Sequence, residues 1–260
     1  MAYFKGSAYS ETLKMRTGIT MISPKYSSGL REKPAKTVFL LHGLSDNCDD
    51  WAINSQLSLL ANDYRLIFIL PEVQRSFYTD MAYGPAYFSY VADELPRLCA
   101  NLFPVSLKRE DTYVMGLSMG GYGALKCALL RPEQFAGCAA FSSVCILEEC
   151  EEMADDAMRR EIQGILGLHY ELLRQNELTE IASRFDPSAP KPNLFLTCGT
   201  EDFLYRQNVR FSDFIKGKGF PVVFQSWSGR HEWYFWNKSI HLACDHFFER
   251  QSPDSPGEVI

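Results

Sequence analysis

Residues Tyr113–Leu130, YVMGLSMGGYGALKCALL, decide how this chain is read. A short β-prone run, Thr112–Met115, leads into Ser118, which Gly116 and Gly120 flank, and Ala124, Leu125, Ala128 and Leu129 then recur at helical spacing. Gly-x-Ser-x-Gly by itself is a weak signal, because glycine makes up about 7% of ordinary proteins and the pentapeptide arises by chance. Its setting between a strand and a helix gives it weight. A serine in a sharp strand-to-helix turn presents its hydroxyl at the end of a sheet, and side chains two positions to either side would strike neighbouring backbone, which glycine avoids. Gly121 and Gly123 extend the pattern and predict close packing of the new helix on the sheet, since glycines in a first turn otherwise cost helix stability.

Outward from this unit the same alternation continues. Apolar runs at Thr37–Leu41, Leu66–Leu70, Gly137–Phe141, Leu194–Cys198 and Val222–Trp227 read as buried strands. Helical stretches are expected at Ile53–Ala61, Ala86–Leu102, Gly120–Leu130, Arg206–Lys216 and Lys238–Glu249, with Pro96 kinking or splitting the second. Strand and helix in turn imply a mostly parallel central sheet flanked by helices, an α/β fold. Residues 1–30 are expected to add an edge hairpin, and residues 251–260 read as a loose tail. Residues 144–185 break the rhythm with an acidic, helix-prone insertion. Its charged face reads as solvated, whereas Ile162, Ile165 and Leu166 fall at helical spacing and suit either the roof of a substrate pocket or a subunit contact.

Composition bounds the function. With 260 residues, 46% of them hydrophobic, the chain reads as a single domain. A net charge of −6 and the lack of a basic cluster interleaved with aromatics argue against nucleic acid or an anionic membrane as partner, and favour a small neutral molecule. No secretion signal or membrane span is read, so a cytoplasmic protein is expected, with its eight cysteines reduced and mostly buried. The five histidines form no His-Glu-x-x-His motif and no cysteine pair has Cys-x-x-Cys spacing, so neither a metal nor another cofactor is expected.

A serine hydroxyl needs a histidine to take its proton, and the histidine needs a carboxylate to hold its tautomer. In this fold the order is serine, carboxylate, histidine, each beyond the carboxyl end of a strand. Asp202, in the loop after NLFLTC, and His231, in the loop after VVFQSW, obey that order. Glu201 competes with Asp202, whose shorter side chain suits the loop better. The developing negative oxygen needs two donors, assigned to the backbone N–H groups of Met119 and of Leu44, in the HGLSDN turn after TVFLL. His42 then reads as a structural residue of that turn. Trp51, Tyr78, Met81 and Trp233, near strand ends, are candidates for lining an acyl or alcohol pocket, with loop packing as the alternative.

In this order, HGLSDNCDDW, SFYTDMAYGPAYFSYVADELP, GLSMGGYGALK, CGTEDFLY and GRHEWYFW resemble the esterase D and tributyrin esterase branch of the α/β-hydrolases over most of the chain. The resemblance implies a cofactor-free serine esterase with a Ser118, His231, Asp202 triad, Leu44 and Met119 as oxyanion donors, and short acyl esters as substrates. Related branches include S-formylglutathione hydrolases, carbohydrate acetyl or feruloyl esterases and mycolyl transferases. HGLSDN and MGLSMGGYG stand here where formylglutathione hydrolases usually read HGLTCT and GHSMGGHG, which places that activity second. A hydrolase-fold binding module would have lost a triad member, and none is missing. A homo-oligomer is compatible with the sequence.

Overall fold

The computed structural model describes residues 1–25, 35–152 and 154–250. A sheet covered on both faces requires strands that are apolar at every position. Six strands run parallel, β3 (Lys36–Leu41), β4 (Leu66–Pro71), β5 (Thr112–Leu117), β6 (Gly137–Phe141), β7 (Asn193–Gly199) and β8 (Val222–Trp227), and β4, β5 and β6 are buried throughout while the edge strand β8 exposes Gln225 and Ser226. The antiparallel hairpin of β1 (Ala2–Ser10) and β2 (Met15–Ser23) joins through β2 to β4, giving the order β1-β2-β4-β3-β5-β6-β7-β8. Residues 26–30 of the expected edge segment and the tail 251–260 lie outside the described residues.

Successive residues of a strand feed opposite cores. Phe39, Ile69, Val114 and Leu196 enter one, and Val38, Phe68, Met115 and Phe195 the other. Helices α1 (Asp50–Asn54), α2 (Leu57–Tyr64) and α11 (Trp233–Phe247) cover the second core. The first is covered by α3 (Tyr87–Ser89), α4 (Leu95–Leu102), α5 (Met119–Leu130) and α10 (Tyr205–Gly217). Pro96 does not split its helix. A π turn at Tyr90–Glu94, closed by Leu95 N–H to the Tyr90 carbonyl, widens the backbone just where the proline ring would crowd the carbonyl four residues back. The first expected helix is instead two, α1 and α2, and α11 begins five residues early, because Trp236, Ile240, Ala243 and Phe247 already share its inner face.

The insertion forms α6 (Leu147–Glu152), α7 (Asp156–Leu166), α8 (Leu173–Asn176) and α9 (Leu178–Ser183) between β6 and β7. Asp155 caps α7 by accepting the Met158 N–H at 2.8 Å. Ile162, Ile165 and Leu166 point into the chain's own first core, against Phe77 and Leu147, so these three are not left for another subunit. Among these residues and Cys150 only about 10 Å³ of free space remains, room for at most a water. The segment after β4 is laced to α7: Ala82 N–H donates to the Ile165 carbonyl at 2.8 Å, Tyr83 N–H to that of Gly164 at 3.0 Å, and Arg75 Nε to Glu161 at 2.9 Å. Among the described residues no helix is long and apolar enough to cross a membrane.

Because β3 has β4 on one side and β5 on the other, the chain reverses its direction of travel across the sheet there. Open α/β sheets hold their ligands outside the carboxyl ends of the strands at such a switch point.

Candidate active site

Ser118 stands at the carboxyl end of β5, beside this switch point, as the residue before α5. Its backbone is at φ 52° and ψ −119°, a conformation that costs a non-glycine residue on the order of 1–3 kcal/mol. Hydrogen bonds hold it there: its N–H donates to the Phe141 carbonyl at 2.8 Å, and its carbonyl accepts from Tyr122 at 3.1 Å and Val144 at 3.2 Å. A Cβ at position 116 would lie 2.3 Å from the Gly120 oxygen, and one at 120 would lie 2.3 Å from the Leu41 oxygen, so both glycines are required for this turn. The next pair differs from expectation. Cβ atoms at 121 and 123 would meet Ser143 at 2.9 Å and the Tyr78 ring at 2.4 Å, so the helix closes on the loops after β6 and β4 rather than on the sheet face.

The structure brings His231 and Asp202 to this serine. His231 Nε2 is 3.0 Å from Ser118 Oγ, and Nδ1 is 2.9 Å from Asp202 Oδ2. In the neutral tautomer that fits both contacts, Nδ1–H donates to the carboxylate and Nε2 accepts from the hydroxyl. Asp202 is buried while the His231 side chain is 20% exposed. Burial alone would push the Asp202 carboxyl up, but the hydrogen bond and charge of His231, with the Leu204 N–H donating to Oδ1 at 2.9 Å, hold it below its ordinary value. Glu201 turns away and accepts the Gly229 N–H at 2.5 Å. Two aromatic rings contact the imidazole: buried Trp236 edge-on at 4.9 Å, and exposed Phe203 tilted at 4.7 Å. Sequence reasoning missed Phe203, although it adjoins Asp202.

Met119 opens α5, where the N–H groups of the first turn have no carbonyl within the helix. Leu44 lies in a turn whose internal bonds use other donors: Gly43 N–H to Asp46 Oδ2 at 3.2 Å and Asp46 N–H to the Gly43 carbonyl at 3.3 Å. Buried His42 braces the turn, with Nδ1 2.8 Å from the Gly43 carbonyl and Nε2 accepting Val73 N–H at 3.2 Å.

Two of the aromatic candidates do not present a surface to a ligand. Trp51 is fully buried in the second core, its Nε1–H donating to the Leu41 carbonyl at 3.0 Å, and Tyr78 is fully buried with its hydroxyl donating to the His42 carbonyl at 2.9 Å. Each satisfies its polar atom inside the protein, which fixes it as packing. Met81 and Trp233 are half-buried, Trp233 lying edge-on to Trp51 and Trp236 at 5.1 and 5.3 Å. Sequence reasoning also missed Lys126, fully buried on α5, whose Nζ donates to the Tyr78 carbonyl and Thr79 Oγ1, both at 3.0 Å. Among the described residues no group of His, Cys, Asp or Glu is clustered to hold a metal.

This arrangement can pass a proton from a hydroxyl to an imidazole and stabilise the resulting imidazolium, which is the chemistry of acyl transfer through serine. Comparison with known proteins agrees with it. A family model described as putative esterase matches residues 10–246. The chain is 32% identical to an acetyl esterase of Caldicellulosiruptor saccharolyticus over 94% of this chain and 97% of that protein. Two solved structures from Staphylococcus aureus, each 30% identical, cover 95% of this chain and are themselves covered to 98%. One is a substrate-bound, fluorophosphonate-binding serine hydrolase with a TM-score of 0.86 and the other an S-formylglutathione hydrolase with a TM-score of 0.84.

Proposed function

The chain belongs to the putative esterase family and is a carboxylic ester hydrolase of α/β-hydrolase fold, and from that premise we propose that it is a serine esterase acting on small esters with short acyl groups. Ser118 Oγ attacks the acyl carbonyl as His231 Nε2 takes its proton, and Asp202 holds the imidazolium. The N–H groups of Leu44 and Met119 receive the negative oxygen of the tetrahedral intermediate. As that intermediate collapses, the proton on Nε2 passes to the leaving oxygen and the acyl group stays on Ser118. His231 then activates a water that releases the acid. The observation that carries this reading is the unbroken chain of contacts from Asp202 through His231 to Ser118, at 2.9 and 3.0 Å, on a backbone turn strained to expose the serine.

The insertion packs shut against Phe77 and Leu147, so it offers no cavity beneath it for a long acyl chain, which supports the short acyl preference. Likeness to an acetyl esterase points the same way. Each acyl methylene gains about 0.8 kcal/mol by burial until it meets a wall. With p-nitrophenyl esters, kcat/KM is expected to peak between acetate and hexanoate and to fall steeply by decanoate. A fluorophosphonate is expected to label one serine, Ser118, and Ser118→Ala to abolish labelling and to lower kcat by up to about 10⁶ if the three residues act as a unit. Labelling elsewhere would refute the assignment. A rise in rate through dodecanoate would refute the closed pocket, and a strong preference for S-formylglutathione over every oxygen ester would favour thioester hydrolysis instead, the activity named for one of the two staphylococcal structures.

A further inference from the structure

His231 is already fixed without Phe203. Asp202 holds Nδ1 at 2.9 Å, and buried Trp236 supports the ring edge-on from the core side at 4.9 Å. Phe203 adds a second ring, with its centroid 4.7 Å from the imidazole and its plane tilted by 46°, yet 65% of its surface faces solvent. Its loop is anchored on both sides of it. Asp202 N–H donates to the Gly199 carbonyl at 3.1 Å, Leu204 N–H to Asp202 Oδ1 at 2.9 Å and Tyr205 N–H to the Asp202 carbonyl at 3.0 Å, and the Leu204 side chain is buried. An apolar ring held in water beside a catalytic base is therefore prepositioned, and what it is prepositioned for follows from where the base sends its proton.

We propose that Phe203 is a specificity-determining residue that stacks on the leaving group, so that this esterase prefers esters of aromatic alcohols; the proposal rests on the serine esterase reading above. When the C–O bond breaks, the departing oxygen takes the proton from His231 Nε2 and must lie about 3 Å from that atom. Whatever the oxygen carries then extends past the imidazole, whose solvent-side neighbour is Phe203. A planar leaving group in that position meets the ring within the 4.5–7 Å centroid range, roughly, of aromatic pairs. A methyl or ethyl group is too small to cover it.

The test compares 2-naphthyl acetate with ethyl acetate, so the acyl group is constant and only the leaving group changes. Phe203→Ala is expected to lower kcat/KM for the naphthyl ester about tenfold, chiefly through KM, and to change that for the ethyl ester less than twofold, with Phe203→Tyr restoring the wild-type ratio. The rate of fluorophosphonate labelling at Ser118 should be unchanged. Binding of 2-naphthol to the Ser118→Ala protein needs no turnover, and adding Phe203→Ala to that background should weaken it about tenfold. Equal losses on both esters through kcat would overturn the proposal by making Phe203 a support for His231, and unchanged selectivity with unchanged naphthol binding would overturn it outright. Failure of the esterase reading looks different: the wild-type protein would turn over neither ester and would resist the fluorophosphonate.

Discussion

Asp202 and Glu201 are adjacent carboxylates with different partners. Asp202 is buried against His231, and Glu201 is spent on the Gly229 N–H at the protein surface. Asp202→Asn keeps the size of the side chain, but with its oxygen accepting from Leu204 N–H it turns its NH2 toward Nδ1–H, which needs an acceptor, so it is expected to cost about 10³–10⁴ in kcat with the melting temperature little changed. Glu201→Gln keeps an acceptor oxygen for Gly229 and should stay within about threefold of wild type. Steady-state rates on p-nitrophenyl acetate decide between them, and the reverse ranking would move the carboxylate by one position. The candidates for this relay were legible in the sequence because chain order and strand-end position limit them to a few residues. The surroundings were less so. Residue type does not tell which way a ring points: Trp51 and Tyr78 read as candidates for pocket lining yet lie in the interior, while Phe203, given no role from the sequence, faces water beside His231.

Between elements, the segment after β4 carries an unusual load. Gln74, Phe77 and Tyr78 all have positive φ, at 53°, 48° and 47°, and such backbone persists only when its surroundings fix it. Tyr78 is fixed at both ends, by Lys126 on its carbonyl and by its own hydroxyl on the His42 carbonyl, two residues from Leu44. Burial lowers the Lys126 ammonium to about 7 against the opposing pull of Cys127 and Asp80, and the rings of Phe88 and Tyr122 lie 5.0 and 5.4 Å from Nζ. A neutral amine has two N–H groups, matching the two acceptors, so deprotonation sacrifices neither bond. The sign of the linkage follows. Between about pH 7 and the unfolded value near 10.4, the unfolded chain binds more protons at this site, so stability rises with pH. Relative to Lys126→Met, the wild-type protein is expected to gain up to about 1.4 kcal/mol per pH unit between pH 7 and 9, read from urea midpoints; a pH-independent difference would mean that Lys126 stays charged. None of this was legible, since a lysine at position 126 reads as solvent-facing until the loop that covers it is seen. The parallel strands were legible to within one or two residues because burial on both faces demands apolar runs in the central ones, and the edge strand β8 keeps enough of that pattern in Val222–Phe224. The π turn at Tyr90–Glu94 was not, because Pro96 announces a disturbance without saying how the backbone absorbs it.

At the scale of the molecule, the decisive question is whether the insertion is a fixed wall or a lid, and the cysteines can answer it. All eight are free thiols, and all but half-buried Cys150 are buried. Burial pushes Cys99, Cys127 and Cys150 up to about 12, which leaves a thiolate fraction of about 10⁻⁴ at pH 8, and the thiolate is the reactive form. Cys150 lies on α6 and lines the residual space between the insertion and Phe77, so opening of that contact would expose it further and raise its reactivity. The hydrogen bonds from Ala82 and Tyr83 to α7, together with the Arg75–Glu161 pair, oppose such opening. With a disulfide reagent at pH 8, the native protein is therefore expected to lose less than one thiol over several minutes while keeping its esterase activity, and to lose all eight on denaturation. A lid that opens frequently predicts a different record: one fast thiol, abolished by Cys150→Ser, with activity falling at the same rate. On the short-acyl reading proposed above, the same opening would free room for a longer acyl chain, so fast labelling of Cys150 should be accompanied by hydrolysis of long-chain esters, and slow labelling by the cut-off before decanoate.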